Sequence, residues 1–163
     1  MLPSRPSEAR LELVRNLAAD VLGCDRIELQ PLSCSFKDDF VKPTSTARCA
    51  FMDGATKKVI TGKGVGPVDA LYKALLNEYG EQYVSLHNVS FSGFAMEADF
   101  GTSRLPCTDA VVEVILETSG NSVKPTTFRN KNRSLSLAIT GAVFDAFKFY
   151  IDCENTFKKL RHL

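Results

Sequence analysis

Apolar side chains recur at helical spacing in three segments of the chain. The three segments are Ser7 to Leu22, a stretch that begins at Pro67, and Ser134 to Ile151, which residues 152–163 prolong or fray. Ser7 suits the start of the first segment, and Gly23 suits its end. The pattern therefore predicts three amphipathic helices.

Between these helices, apolar and polar residues alternate at the spacing of strands. The predicted strands are residues 27–36, 44–52, 57–61, 82–94, 109–118 and 123–129. Pro31 indicates an edge or broken strand, and Pro125 weakens the last strand. The Asp53-Gly54 pair predicts a hairpin turn. Residues 37–43 and 95–108 are predicted loops, and residues 119–122 a turn.

In order, the chain reads as one helix followed by two strand-strand-strand-helix units. Short connections favour antiparallel pairing within each unit. We therefore predict an α+β fold, in which two such units form antiparallel sheets with packed helices, plus an N-terminal helix. Residues 1–26 would form the N-terminal helix and linker, and residues 27–163 the main domain.

The most distinctive stretch is Gly62-Lys-Gly-Val-Gly-Pro-Val-Asp-Ala70, a glycine turn that leads into a helix. Glycines allow a tight turn or a close approach to a ligand, and Pro67 suits the first helical position. Backbone donors at a helix start attract carboxylates and phosphates. The competing interpretation is an ordinary strand-to-helix connection, in which Asp69 only caps its own helix.

The composition argues against several classes of protein and does not by itself indicate a function. The chain has 163 residues, a net charge of +1, 44% hydrophobic residues and five dispersed cysteines. This charge gives no general case for binding nucleic acid or membrane, and the first residues lack the apolar core of a signal peptide. Dispersed cysteines argue against a disulfide framework and a zinc site, so we expect reduced thiols in a cytoplasm. No metal, cofactor or catalytic residue is predicted, and His87 and His162 lie far apart.

Four segments together suggest a family. The Gly64-Val-Gly-Pro-Val-Asp-Ala70 motif resembles the C-terminal regulatory domain of 2-isopropylmalate synthase and citramalate synthase. Three supporting segments occur in the same order as in that domain, namely Lys42 to Ala47, Thr108 to Val114 and Ala138 to Phe147. The chain departs from the family at Ser134, where an aspartate is usual, and in an apparent insertion from Ala95 to Cys107.

The resemblance implies a homodimeric regulatory domain of two strand-strand-strand-helix units. It implies binding of leucine or isoleucine near the dimer interface, with inhibition of a synthase catalytic domain as the result. The metal-dependent barrel that performs the family's chemistry needs about 250 residues, so we predict that this chain is not an enzyme. Carried onto this sequence, the ligand site comprises Gly64, Val65, Gly66, Pro67, Val68, Asp69, Asp109, Ala110 and Val112.

Within that predicted site, backbone N–H groups at the helix start would receive the carboxylate of the amino acid. Asp69 or Asp109 would face its ammonium group, and the valines and Ala110 would surround its side chain. Two alternatives stay open, a double-stranded RNA-binding module and a dimerisation domain that has lost its ligand. A small enzyme has no nucleophile and base pair to support it.

Overall fold

The computed structural model describes residues 6–101, 110–120 and 125–162, with side chains from residue 8 onward. Within these ranges, three α-helices and six strands follow the predicted order. Their bounds are α1 (Pro6–Leu22), β1 (Leu29–Asp39), β2 (Thr44–Asp53), β3 (Thr56–Gly64), α2 (Pro67–Tyr79), β4 (Ser90–Asp99), β5 (Val111–Ser119), β6 (Thr126–Asn132) and α3 (Leu135–Arg161).

The strands form two separate antiparallel sheets, sheet A in the order β1-β2-β3 and sheet B in the order β4-β5-β6. The predicted α+β class, with its two three-strand units and its N-terminal helix, is therefore confirmed. None of the helices in the described ranges is long and apolar enough to cross a membrane.

The helices α2 and α3 lie between the two sheets. Phe51 of β2 packs edge-on against Phe144 of α3, with ring centroids 5.4 Å apart. On the other side, Phe91 of β4 packs against Tyr72 of α2 at 5.0 Å. Both faces of the helix layer are thus buried, which explains why α3 carries buried residues around most of its circumference. The helix α1 packs on α3 and β6, and its Leu11 belongs to the same core.

Several local predictions are confirmed. β1 is an edge strand with a register shift between Pro31 and Ser33. Gly54 opens the two-residue turn between β2 and β3 with φ of 56°, a conformation that favours glycine. Gly23 ends α1 with φ of 55°. Ser7 lies inside α1, which begins one residue earlier, so its predicted role as the helix cap is wrong.

The predicted strand from Gln82 to Phe94 is wrong in its first half. Residues Val84–Asn88 form a 3₁₀ turn, and the strand begins only at Ser90. Contacts from distant segments fix this turn, because the Tyr72 hydroxyl donates to the carbonyl of Leu86 at 2.9 Å, and Leu86 is fully buried. Alternation along the sequence carries no information on such contacts.

Both predicted loops begin later than expected. β4 continues to Asp99, into the predicted loop 95–108, and β1 continues to Asp39, into the predicted loop 37–43. The Asp39 carboxylate then accepts the N–H groups of Val41 and Lys42, at 2.9 and 3.1 Å, and closes the turn to β2. Pairing with a neighbouring strand extends both segments beyond what their own sequence indicates.

Candidate functional site

The glycines of the distinctive motif allow helix α2 to lie directly on strand β3. A Cβ atom at Gly62 would lie 2.4 Å from the carbonyl oxygen of Ala70, and one at Gly64 would lie 2.6 Å from the Ala70 nitrogen. No such crowding exists at Gly66, where a Cβ would meet nothing within 4 Å. Gly62 and Gly64 therefore serve the close contact between strand and helix.

The first turn of α2 leaves backbone donors available. Gly66 occupies the N-cap position, Pro67 starts the helix, and no side chain of the described residues caps it. The first backbone bond runs from the Ala70 N–H to the Gly66 carbonyl at 2.9 Å. The N–H groups of Val68 and Asp69 thus lie at the positive end of the helix dipole without a partner in the described part of the chain.

The Asp69 carboxylate organises the approach to the helix. One of its oxygens, Oδ2, accepts the Val65 N–H at 2.9 Å and the Lys73 ammonium at 2.8 Å. Burial alone would raise the pKa of this carboxyl, but Lys73 and the Val65 N–H together hold the pKa below its ordinary value. Asp69 is therefore ionised at neutral pH, and it fixes the loop before the helix instead of capping the helix itself.

A groove of about 610 Å³ opens beside this helix start. The tip of α2 forms one side, β4 and β5 form the floor, and the first turns of α3 form the other side. Its lining residues are Gly66, Pro67, Val68, Asp69, Phe91, Ser92, Gly93, Phe94, Met96, Leu116, Leu135 and Ile139. A volume of this size suits a small organic ligand, and most of the lining is apolar.

A second helix N-terminus reaches the same groove. Helix α3 begins after Ser134, whose side chain makes no capping hydrogen bond, and its first turn holds no acidic residue. The Ser134 N–H itself donates to the Asn132 side chain at 3.3 Å. Leu135 and Ile139 of this helix line the groove. The starts of two helices thus border one largely apolar space, which suits a guest with an apolar body and a charged end near the tip of α2.

The structure brings only some of the predicted site residues together. Gly66, Pro67, Val68 and Asp69 line the groove, whereas Gly64 is buried under α2 and Val65 is 80% exposed on the loop. Ala110 and Val112 belong to the region of β5, outside the groove lining. Asp109 lies outside the described residues.

Sequence reasoning missed the groove floor. The floor includes three residues of β4, namely Phe91, Phe94 and Met96. A register shift between Phe91 and Gly93 places Phe94 and Met96 on the inner face of sheet B, opposite the buried Leu116 and Val114. The sequence does contain a signal for this strand, because apolar Phe94, Met96 and Ala98 alternate with Glu97 and Asp99.

A smaller cavity of about 260 Å³ lies between α1 and α3. Its two carboxylates already have partners, since Asp152 accepts from Arg26 Nε at 3.1 Å and Asp145 pairs with Lys148 at 3.3 Å. No group of histidine, cysteine or acidic side chains in the described ranges is arranged to hold a metal ion. His87 lies in the 3₁₀ turn, where its Nε2 is 3.1 Å from the Gly80 carbonyl at the end of α2.

The outer face of sheet A has a different character. The register places Lys37, Arg48, Lys57 and Lys63 on this face, all exposed, and none of them forms an ion pair within the described residues. Hydroxyl groups of serine and threonine residues surround them. This face is therefore a basic surface on the side of the molecule away from α2 and α3.

Comparisons of the chain with models of known protein families and with curated proteins produce no match.

Proposed function

We propose that this chain is a non-catalytic regulatory module that binds a small branched-chain amino acid, leucine or isoleucine, in the groove. The observation that carries the proposal is that the starts of α2 and α3, neither of them capped by a side chain of the described residues, border one groove with an apolar floor. The ligand's carboxylate would accept hydrogen bonds from the N–H groups of Val68 and Asp69, which have no partner in the described part of the chain. The side chain would lie against Phe94, Met96 and Leu116 of sheet B.

The ammonium group of the ligand also has a suitable neighbour. Asp69 lines the groove, and its two hydrogen bonds within the described residues both use Oδ2, so Oδ1 is available there to a cation. The lowered pKa of Asp69 keeps this carboxylate charged. Asp69 thus supplies both a structural bond and the negative charge that an amino acid requires.

A homodimer forms part of the proposal. Phe94, Met96 and Leu135 are 52%, 51% and 40% exposed along the groove, a large apolar area for a monomer surface. β4, which carries the first two, is an edge strand of sheet B. A second copy related by a two-fold axis would cover both features and close the groove over the ligand. The module would then control a separate synthase catalytic domain in a cytoplasmic setting, without a cofactor of its own.

The test is thermal unfolding with leucine, isoleucine and valine. A ligand at 100 times its dissociation constant should add about 2.7 kcal/mol to the free energy of unfolding. Phe94→Glu should abolish the shift, because it places an anion on the groove floor. Val59→Glu is the matched control, since Val59 is also an exposed strand residue, at 54%, and lies on sheet A.

Light scattering tests the proposed homodimer by measuring the molecular mass in solution. The expected mass is twice the 17.9 kDa of the chain. A dimer that shows no thermal shift with any of the three amino acids would favour a dimerisation domain that has lost its ligand. A monomer without any shift would refute the proposal.

One observation favours the RNA-binding alternative, namely four cations on the outer face of sheet A that form no ion pair within the described part of the chain. Against it, α1 packs on α3 and β6, so the first helix does not join sheet A and α2 in a compact unit. A gel shift with double-stranded RNA at increasing salt decides between them. Binding that weakens with salt and is lost in Arg48→Glu would support the alternative.

A further inference from the structure

Two cysteines lie directly opposite each other in sheet A. Cys34 of β1 and Cys49 of β2 are register partners. Opposite residues in an antiparallel pair have Cα atoms about 4.5–5.5 Å apart. A disulfide requires a Cα separation of about 4.4–6.8 Å. The backbone can therefore accommodate a bond between these two sulfurs without rearrangement of the sheet.

The two thiols differ in their access to solvent. Cys49 is fully buried in the core beside Ala47 and Phe51. Cys34 points to the same inner face as Cys49, but it lies on the edge strand β1 and is partly exposed. A small oxidant can thus reach Cys34 at the edge of the sheet, whereas Cys49 on the central strand is fully buried.

The two thiols also differ in their acidity. The Cys49 thiol, in contact with Cys34, lowers the pKa of Cys34 to about 7 against the opposing effect of burial. The same contact, together with burial, raises the pKa of Cys49. The contact between the two sulfurs thus favours the thiolate form at Cys34, which is the less buried of the pair. A reactive outer thiol beside a protected second thiol is the arrangement of an attacking and a resolving cysteine.

We propose that Cys34 and Cys49 form a reversible disulfide when the protein meets a peroxide. The Cys34 thiolate attacks one oxygen of hydrogen peroxide, the O–O bond breaks, and the departing hydroxide takes a proton to become water. Cys34 is then a sulfenic acid. Cys49 sulfur attacks the Cys34 sulfur, the S–O bond breaks, and the second hydroxide leaves as water with the Cys49 proton. The two thiols lose two electrons in total, peroxide is reduced to two waters, and a dithiol reductant reverses the change.

The disulfide would fasten the edge strand β1 to the centre of sheet A. α3 packs on β1, and Phe144 of α3 contacts Phe51 of β2. Oxidation therefore joins the two strands beneath the helix whose N-terminus borders the groove. We expect the oxidised chain to unfold at a higher urea concentration than the reduced chain, because the closed loop restricts the unfolded state.

The experiment treats the reduced full chain with hydrogen peroxide, alkylates the remaining thiols and digests the protein without reductant. Mass spectrometry should find one linked peptide pair, Cys34 with Cys49, that disappears after reduction. Cys153→Ser is the matched control and should leave this pair unchanged, since burial raises the pKa of the Cys153 thiol to about 11. In Cys49→Ser, a sulfenic acid trap should label Cys34.

The proposal fails if the native chain gives no linked pair under conditions that oxidise the exposed Cys24. It also fails if Cys34 pairs with Cys24 or Cys107 in place of Cys49, or if alkylation modifies Cys49 before Cys34. The native chain decides each of these outcomes, so a variant that does not fold leaves the test intact.

Discussion

The substitution Gly62→Ala tests what the glycine motif is for. In the structure, the added Cβ would lie 2.4 Å from the Ala70 carbonyl oxygen, 2.7 Å from the Ala74 nitrogen and 2.8 Å from the Ala74 Cβ. Ordinary contact begins at 3.4 Å. Because the closest two atoms belong to the helix backbone, no side-chain rotation relieves the clash, and α2 must withdraw from β3 by about 1 Å.

This withdrawal loosens a well-packed part of the core. Ala70, Leu71 and Leu75 of α2 are fully buried, and overpacking in such places costs about 1–3 kcal/mol. For a chain of this length, a loss of 2 kcal/mol lowers the melting temperature by about 4–8 °C. Urea unfolding without any ligand should show a lower midpoint with an unchanged slope.

Gly66→Ala is the matched control, because its Cβ would meet nothing within 4 Å and its φ of −148° is an extended value that alanine adopts. We expect its stability to stay within about 0.5 kcal/mol of the native chain. If Gly62→Ala unfolds at the native midpoint and only weakens the response to an amino acid, then the glycine serves ligand approach, and our account of the helix contact is wrong.

Three further predictions concern single side chains. Asp69→Asn should lower the free energy of unfolding by about 0.5–1 kcal/mol at pH 7, a small loss because the ion pair with Lys73 is partly exposed. Because folding lowers the pKa of Asp69, this contribution is present above about pH 4 and is lost as the pH falls through the pKa of the folded state. The urea midpoints of the native chain and the variant should therefore converge in acid. Asp152→Ala should lower the free energy of unfolding by about 2–3 kcal/mol, because this buried carboxylate accepts hydrogen bonds from Arg26 Nε and the Ile27 N–H, each at 3.1 Å. In the same urea assay, Asp145→Ala on the same helix should cost less than about 0.5 kcal/mol. Equal losses in the two variants would contradict this prediction. Mass spectrometry should show that the alkylation of Cys34 by iodoacetamide reaches half its maximal rate near pH 7, whereas Cys153 reacts only toward pH 11. Parallel pH profiles for the two cysteines would refute the assignment of the thiolate to Cys34.

The sequence by itself determined the features that neighbouring residues control. Helical periodicity located α1, α2 and α3, alternation located most of the strands, and Gly54 and Pro67 marked a turn and a helix start. These signals are local, because each depends on the conformation of one residue or on the spacing along one element. The α+β class followed from their order.

Only the tertiary structure decided the groove and the purpose of the glycines. The groove combines α2, β4, β5 and α3, and its floor depends on a register shift in β4 that exchanges the two faces of the strand. In the same way, residue 62 has to be a glycine because Ala70 of α2 lies directly above it. The spacing of residues along the chain does not encode this contact between two elements. Local pattern specifies which side of an element is apolar, whereas the packing of distant elements determines what that side meets.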